Sequence, residues 1–170
     1  MTNSVMSGLL PADIVALARR VVEENAKIGR RIVLAESCTG GLVAAAITEI
    51  PGSSEVLDRG FVTYSNEAKR QELDVSGEII ETFGAVSIAC VWAMAQGALR
   101  HSEADIAIAI SGVAGPDGGT AQKPVGTVVF ARACREGDGE PESEMRHFDT
   151  TSRSEVRRQA TLAALELLLP

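Results

Sequence analysis

Arg31-Ile32-Val33-Leu34-Ala35, then Glu36-Ser37-Cys38-Thr39-Gly40-Gly41, then the run Leu42 to Ile50 is the stretch on which the fold turns. The first segment is apolar without polar alternation, the pattern of a short strand buried on both faces. The second is small and glycine-containing, and it opens directly onto an apolar run at helical spacing. Strand, turn and helix start in immediate succession are the repeating unit of α/β proteins.

Working outward, Asp13 to Lys27 carries Ile14, Val15, Leu17, Ala18, Val21 and Val22 at helical spacing, with Asp13 near the N-terminal cap and Gly29 past the end. Pro51-Gly52-Ser53-Ser54 breaks the helix that follows the first strand, and Gly60 to Tyr64 reads as a second strand. Asn66 to Leu73, capped by Ser65, and Glu78 to Phe83 read as short helices; Ser87 starts a longer one reaching about Arg100. Asp105 to Ile110 is the clearest strand, running into Ser111-Gly112-Val113-Ala114-Gly115-Pro116-Asp117-Gly118-Gly119. Val125 to Ala133 and Glu144 to Phe148 form an antiparallel pair around a solvated loop, Arg135 to Pro141, and Ser154 caps a final helix through Leu169. The order implies one three-layer α/β/α domain spanning residues 1–170, with a mixed, mostly parallel sheet of about five strands.

Composition agrees. The 170 residues are 45% hydrophobic and 23% charged, enough for a real core. Sixteen Lys and Arg against 23 Asp and Glu give a net charge of −7, which disfavours broad nucleic-acid or anionic-membrane binding. No run is long and apolar enough to span a bilayer, and the N-terminus lacks a signal-peptide pattern. Cys38, Cys90 and Cys134 are odd in number and widely spaced, matching neither a disulfide framework nor a CxxC metal site, and there are only two histidines. The expectation is a cytoplasmic protein without metal or cofactor.

Four places could carry chemistry. At the ESCTGG turn, unpaired helix-start amides and the macrodipole suit an oxyanion or phosphate, with Cys38, Thr39, Gly40 and Gly41 as the cradle. Seen bare, such a turn is more often a plain strand-to-helix connection. In Tyr64-Ser65-Asn66-Glu67-Ala68-Lys69, Lys69 shares a helix face with Ser65 and Asn66, and the lone tyrosine sits at a strand end, where α/β crevices form. On spacing alone, a capped surface helix with a solvated lysine is the better reading. The Ser111–Gly119 loop is longer than turning requires, which favours a ligand-facing role for Ser111, Gly112, Gly115, Gly118 and Gly119 over a floppy connection with Lys123 nearby. Arg153 and Arg157 are four apart on the last helix, a geometry suited to phosphate or carboxylate, although pairing with Glu155 is the plainer alternative. A Cys38 thiolate nucleophile is the minority view, and Cys90 and Cys134 read as core.

AESCTGG, GFVTYSNEAK, FGAVS, ISGVAGPDGGT and KPVGTV, in this order and spacing, resemble the C-terminal domain of CinA, the competence/damage-inducible family, from about Val33 to Leu165. Stand-alone members are nicotinamide-mononucleotide amidohydrolases. The resemblance implies hydrolysis of the nicotinamide carboxamide to nicotinate mononucleotide and ammonia, in pyridine-nucleotide salvage, by a homodimer. It also implies a serine nucleophile at Ser37 with Lys69 and Tyr64 as its base. One departure stands out: Thr151-Ser152-Arg153 replaces the family's Gly-Asp-Arg, keeping the arginine and losing the aspartate.

The expected mechanism has Ser37 attack the carboxamide, helix-start amides at Thr39–Gly41 hold the oxyanion, and Lys69, or Tyr64 relaying to it, move the proton. The Ser111–Gly119 loop with Arg153 or Arg157 would hold ribose and phosphate. The rival is a non-catalytic nucleotide-sensing module using the same turns; a phosphohydrolase is a weaker third.

Overall fold

The computed structural model describes residues 8–137 and 141–170. Its elements run in chain order: α1 (Ala12–Lys27), β1 (Ile32–Glu36), α2 (Leu42–Thr48), a 3-10 turn (Ser53–Glu55), β2 (Leu57–Val62), α3 (Asn66–Leu73), α4 (Gly77–Phe83), α5 (Ile88–Arg100), β3 (Ile106–Gly112), β4 (Thr127–Cys134), β5 (Glu142–His147) and α6 (Arg153–Leu167). The five strands form one mixed sheet in the order β2-β1-β3-β4-β5. β1 pairs in parallel with β2 and β3, and β4 pairs antiparallel with β3 and β5, so the two kinds of pairing are equal in number.

Alternate residues of the central strands feed two cores, one on each face. Ile32 and Leu34 of β1 and Ile106, Ile108 and Ile110 of β3 point to the layer of α1, α2 and α6. Val33, Ala35, Ala107 and Ala109 point the other way, against α5 and Leu73 of α3. Every residue of β1 is buried, as the unbroken apolar run demands. Small alanines on the second face let α5 lie close to the sheet, and it contacts β1, β3 and β4.

Several boundaries differ from expectation for identifiable reasons. β2 runs Leu57–Val62 rather than Gly60–Tyr64; as an edge strand it carries charged Asp58 and Arg59, which masked its start. The last helix begins at Arg153 because Ser152, not Ser154, accepts the Glu155 amide. Asp13 lies inside α1, whose cap is Pro11. Cys90 is core, but Cys134 ends β4 exposed. The expected Arg135–Pro141 loop falls at 138–140 outside the described residues. Ser65 and Ser87 cap α3 and α5 as expected, accepting the amides of Ala68 and Cys90.

The helix α3 is held at both ends. Its start is fixed by the Ser65 cap, and its end presses on α5 at Gly97, where a Cβ would lie 1.9 Å from the Leu73 carbonyl oxygen. No side chain fits there. Gly97→Ala should therefore cost about 2–3 kcal/mol through forced separation of α3 and α5, a fall of roughly 5–10 °C in Tm by thermal denaturation.

Candidate active site

The parallel strands β1, β2 and β3 all end on one side of the molecule, the side on which ligand crevices form in α/β sheets. Ser37 follows β1 immediately, and its amide donates to the Ile110 carbonyl at 2.9 Å, extending the β1–β3 ladder by one residue. The chain then turns through Cys38 and Thr39 into α2. Beside it, the Thr63 amide donates to the Glu36 carbonyl at 2.9 Å, which fixes the β2–α3 turn against the same strand end.

Lys69 reaches into this corner from α3. Its side chain is 1% exposed, although it bears an amine. Nζ lies 3.0 Å from Ser37 Oγ, 2.8 Å from the Thr63 carbonyl and 3.2 Å from the Tyr64 carbonyl. Burial pulls its pKa below the ordinary lysine value of 10.5. A neutral amine has two N–H groups and one lone pair. The two carbonyls can take the N–H groups, which leaves the lone pair for the Ser37 hydroxyl. That is the arrangement of a serine activated by a lysine base.

A cavity of about 270 Å³ opens over the pair, lined by Ser37, Cys38, Lys69, Ser111, Gly112 and Arg153, with Tyr64, Asn66, Ala85, Val86 and Ala114 completing it. Thus Ser37, Lys69, Cys38, Ser111, Gly112, Arg153 and Tyr64 come together from four separated stretches of sequence. A β-carbon on Gly112 would stand 3.1 Å from Cys38 Sγ and 2.7 Å from a Val128 methyl, so glycine is what the packing admits. Cys38 is buried and its thiol pKa is pushed up to about 12, chiefly by desolvation, so it stays protonated at neutral pH and is a poor nucleophile.

Other expected residues lie elsewhere or are otherwise engaged. Tyr64 is 62% exposed, and its phenol accepts from Arg153 at 3.0 Å; what it gives the lysine is its backbone carbonyl. Arg153 also donates to the Gly115 carbonyl at 2.6 Å, linking the Ser111–Gly119 loop to the Tyr64 turn across the cavity mouth. Arg157 does not line the cavity; it donates to the Cys38 and Thr39 carbonyls at 3.1 and 3.4 Å and so braces the turn from behind. Gly115, Gly118 and Gly119 are not cavity-lining, and a Cβ on Gly119 would meet the Val125 amide at 2.8 Å, a packing reason for glycine.

The expected anion cradle at Thr39–Gly41 needs correction. Glu36, buried to 1% exposure, fills it with its own carboxylate. It accepts from Thr39 Oγ1 at 2.6 Å and from the amides of Gly41, Val43 and Ala44 at 3.0, 3.2 and 2.9 Å. The Gly40 amide is used as well, donating to the Ser37 carbonyl at 3.0 Å. Among the described residues, only the Cys38 and Thr39 amides of this turn have no acceptor. The sequence carried the signal for this: an acidic residue ending an apolar strand just before a helix start is placed to meet the positive end of that helix. Asn66, which shares the Lys69 helix face as its spacing suggests, lines the cavity, and Ala85 and Val86 join the wall from a segment given no role in the sequence reading.

Removing the Glu36 carboxylate should leave four donors unmatched in a buried place. Glu36→Ala is expected to lose at least about 3 kcal/mol of stability, whereas Glu36→Gln, which keeps one acceptor oxygen, loses about half as much; urea denaturation midpoints measure both.

Comparison with known proteins bears on what this corner does. The CinA C-terminal domain family model matches residues 14–170. The nicotinamide-nucleotide amidohydrolase PncC of Escherichia coli K12 is 49% identical over 157 residues, covering 92% of this chain and 93% of that protein. A CinA-like protein of Shewanella loihica is 45% identical over 156 residues, which are 92% of this chain but 36% of that protein. Among solved structures, the competence/damage inducible protein CihA from Agrobacterium tumefaciens superposes with a TM-score of 0.89 at 49% identity, covering 95% of this chain and 96% of that one. A CinA superfamily protein from Klebsiella pneumoniae gives 0.85 at 42% identity, covering 91% and 94%. With the family model matching residues 14–170 and its fold shared with these proteins, the chain belongs to the CinA C-terminal domain family.

Proposed function

We propose that this protein hydrolyses the carboxamide of nicotinamide mononucleotide, giving nicotinate mononucleotide and ammonia. The observation that carries the reading is the buried Lys69 Nζ, 3.0 Å from Ser37 Oγ and held by two backbone carbonyls. The similarity to nicotinamide-nucleotide amidohydrolases from Escherichia coli and Enterobacter agglomerans supports the choice of substrate.

In this mechanism Ser37 Oγ attacks the carboxamide carbon while Lys69 takes its proton. The oxyanion is met by the amide of Cys38, the residue after the nucleophile, and by that of Thr39; donors of this kind typically contribute about 10²–10³ in rate. Lys69 then returns the proton to the departing nitrogen, and water repeats the sequence on the acyl-enzyme. The pyridine carboxamide enters the 270 Å³ cavity, leaving ribose and phosphate at the mouth. There Arg153 is the one arginine in the cavity wall, and it offers the phosphate a cation in a chain of net charge −7. With Arg157 engaged by the Cys38 and Thr39 carbonyls and the α2 start by Glu36, the reading gives the phosphate to Arg153.

The setting that goes with this reading is a cytoplasmic homodimer acting in pyridine-nucleotide salvage and binding neither nucleic acid nor membrane. Three free cysteines suit a reducing compartment, and no helix among the described residues is long and apolar enough to cross a membrane.

Purified protein should release ammonia from nicotinamide mononucleotide, and Ser37→Ala should reduce that release by at least about 10³-fold. Because neutral Lys69 is the active form, kcat/KM should rise with pH through a midpoint below 10.5. Lys69→Met should lose that limb along with most of the rate. A Lys69→Met protein with an unchanged pH profile would assign the base elsewhere.

A further inference from the structure

Ser111 is the sixth residue of β3 and is 2% exposed, yet among the described residues its hydroxyl has no hydrogen-bond partner. Buried hydroxyls are nearly always paired. Among the described residues, the side-chain atoms that are sealed from solvent and unpaired are Arg31 Nε, Thr63 Oγ1, Trp92 Nε1 and Arg132 Nε, and Ser111 Oγ is not one of them. It lies open to the same cavity as Ser37 and Lys69.

Its place in the sheet is equally specific. Glu36 pairs with Ile110 in the parallel β1–β3 ladder, and the Ser37 amide bonds to the Ile110 carbonyl, so the next residues, Ser37 and Ser111, stand side by side on neighbouring strands. Such strands are about 4.8 Å apart. Ser111 alternates with Ala107 and Ala109, both of which face the α5 side of the sheet, the side where α3 packs against α5. A second, unpartnered hydroxyl therefore flanks the nucleophile on the side from which the lysine comes.

We propose that Ser111 is a catalytic residue whose hydroxyl holds the carboxamide nitrogen during acylation and the attacking water during deacylation. This rests on the amidase reading above. A primary carboxamide presents two N–H donors and needs acceptors. Lys69 already spends its contacts on Thr63, Tyr64 and Ser37, and the register of β1 against β3 makes Ser111 Oγ a free acceptor next to the nucleophile.

In acylation the Ser37 Oγ–carbon bond forms and the Ser37 proton passes to Lys69 Nζ. Ser111 Oγ accepts one N–H of the substrate nitrogen, turning that nitrogen's developing lone pair toward Lys69. Collapse breaks the carbon–nitrogen bond, Lys69 gives its proton to nitrogen, and ammonia leaves. Water then takes the vacated place, donating one O–H to Ser111 Oγ and the other to Lys69 Nζ. Its oxygen bonds to the ester carbon, the bond to Ser37 breaks, and Lys69 returns the proton to Ser37 Oγ. One water enters and one ammonia departs.

The test follows ammonia release from nicotinamide mononucleotide by wild type, Ser111→Ala and Ser111→Thr. Ser111→Ala should lower kcat about 10- to 100-fold with KM within about threefold of wild type, and Ser111→Thr, which keeps the hydroxyl, should recover most of the rate. An alanine variant with kcat within twofold of wild type, or a loss confined to KM, overturns the proposal while the amidase reading stands. No ammonia from wild type overturns both. Independently of any change at Ser111, a structure of Ser37→Ala bound to the substrate should place the carboxamide nitrogen within about 3.2 Å of Ser111 Oγ, and a nitrogen turned away from it overturns the proposal.

Discussion

A lysine side chain buried to 1% exposure must have its polar end satisfied, and Lys69 finds its partners only where β1 and β2 end together. The Thr63 and Tyr64 carbonyls that receive it belong to the turn between β2 and α3, and the turn is pinned to β1 through the Thr63 amide. Lys69 itself is presented by α3, whose start is capped by Ser65 and whose end is seated on Gly97 of α5. The sheet register, the helix cap and the glycine contact thus all serve to fix one nitrogen beside one hydroxyl. Desolvation then does the chemical work, because it weakens the hold of that nitrogen on its proton.

The opposite side of Ser37 is held by charge. Glu36 closes the α2 start with its carboxylate, and Arg157 grips the Cys38 and Thr39 carbonyls from α6. The turn is therefore braced from two sides without using the amides of Cys38 and Thr39. A helix start that looks open in sequence is occupied from within by Glu36, and the arginine left on the cavity wall is Arg153. Arg153 also joins Tyr64 to the Gly115 carbonyl and so links the two segments that frame the cavity.

Much of this is legible in the sequence. The unbroken apolar run of β1, the serine caps of α3 and α5 and the alternation of strands with helices are local signals, and the structure carries each of them. The start of β2 was missed because an edge strand tolerates charges such as Asp58 and Arg59, and the start of α6 because two serines two residues apart both qualify as caps. At the site, residue types suggested Ser37 and Lys69, but only folding shows that 32 positions of sequence separation close to 3.0 Å. The phenol of Tyr64 and the guanidinium of Arg157 were given roles suited to their chemistry, and tertiary contacts assign them others. The Glu36 carboxylate was visible as a charge next to a helix start, yet its direction inward depends on the burial of β1.

The central claim is that Ser37, activated by Lys69, becomes acylated. Rapid acid quench of protein mixed with nicotinamide mononucleotide, followed by mass spectrometry of the peptide containing Glu36-Ser37-Cys38, tests it most directly. The account predicts an adduct equal to the substrate minus ammonia, attached through Ser37 and absent from Ser37→Ala. An adduct on Cys38, or ammonia release at full rate from Ser37→Ala, would contradict it.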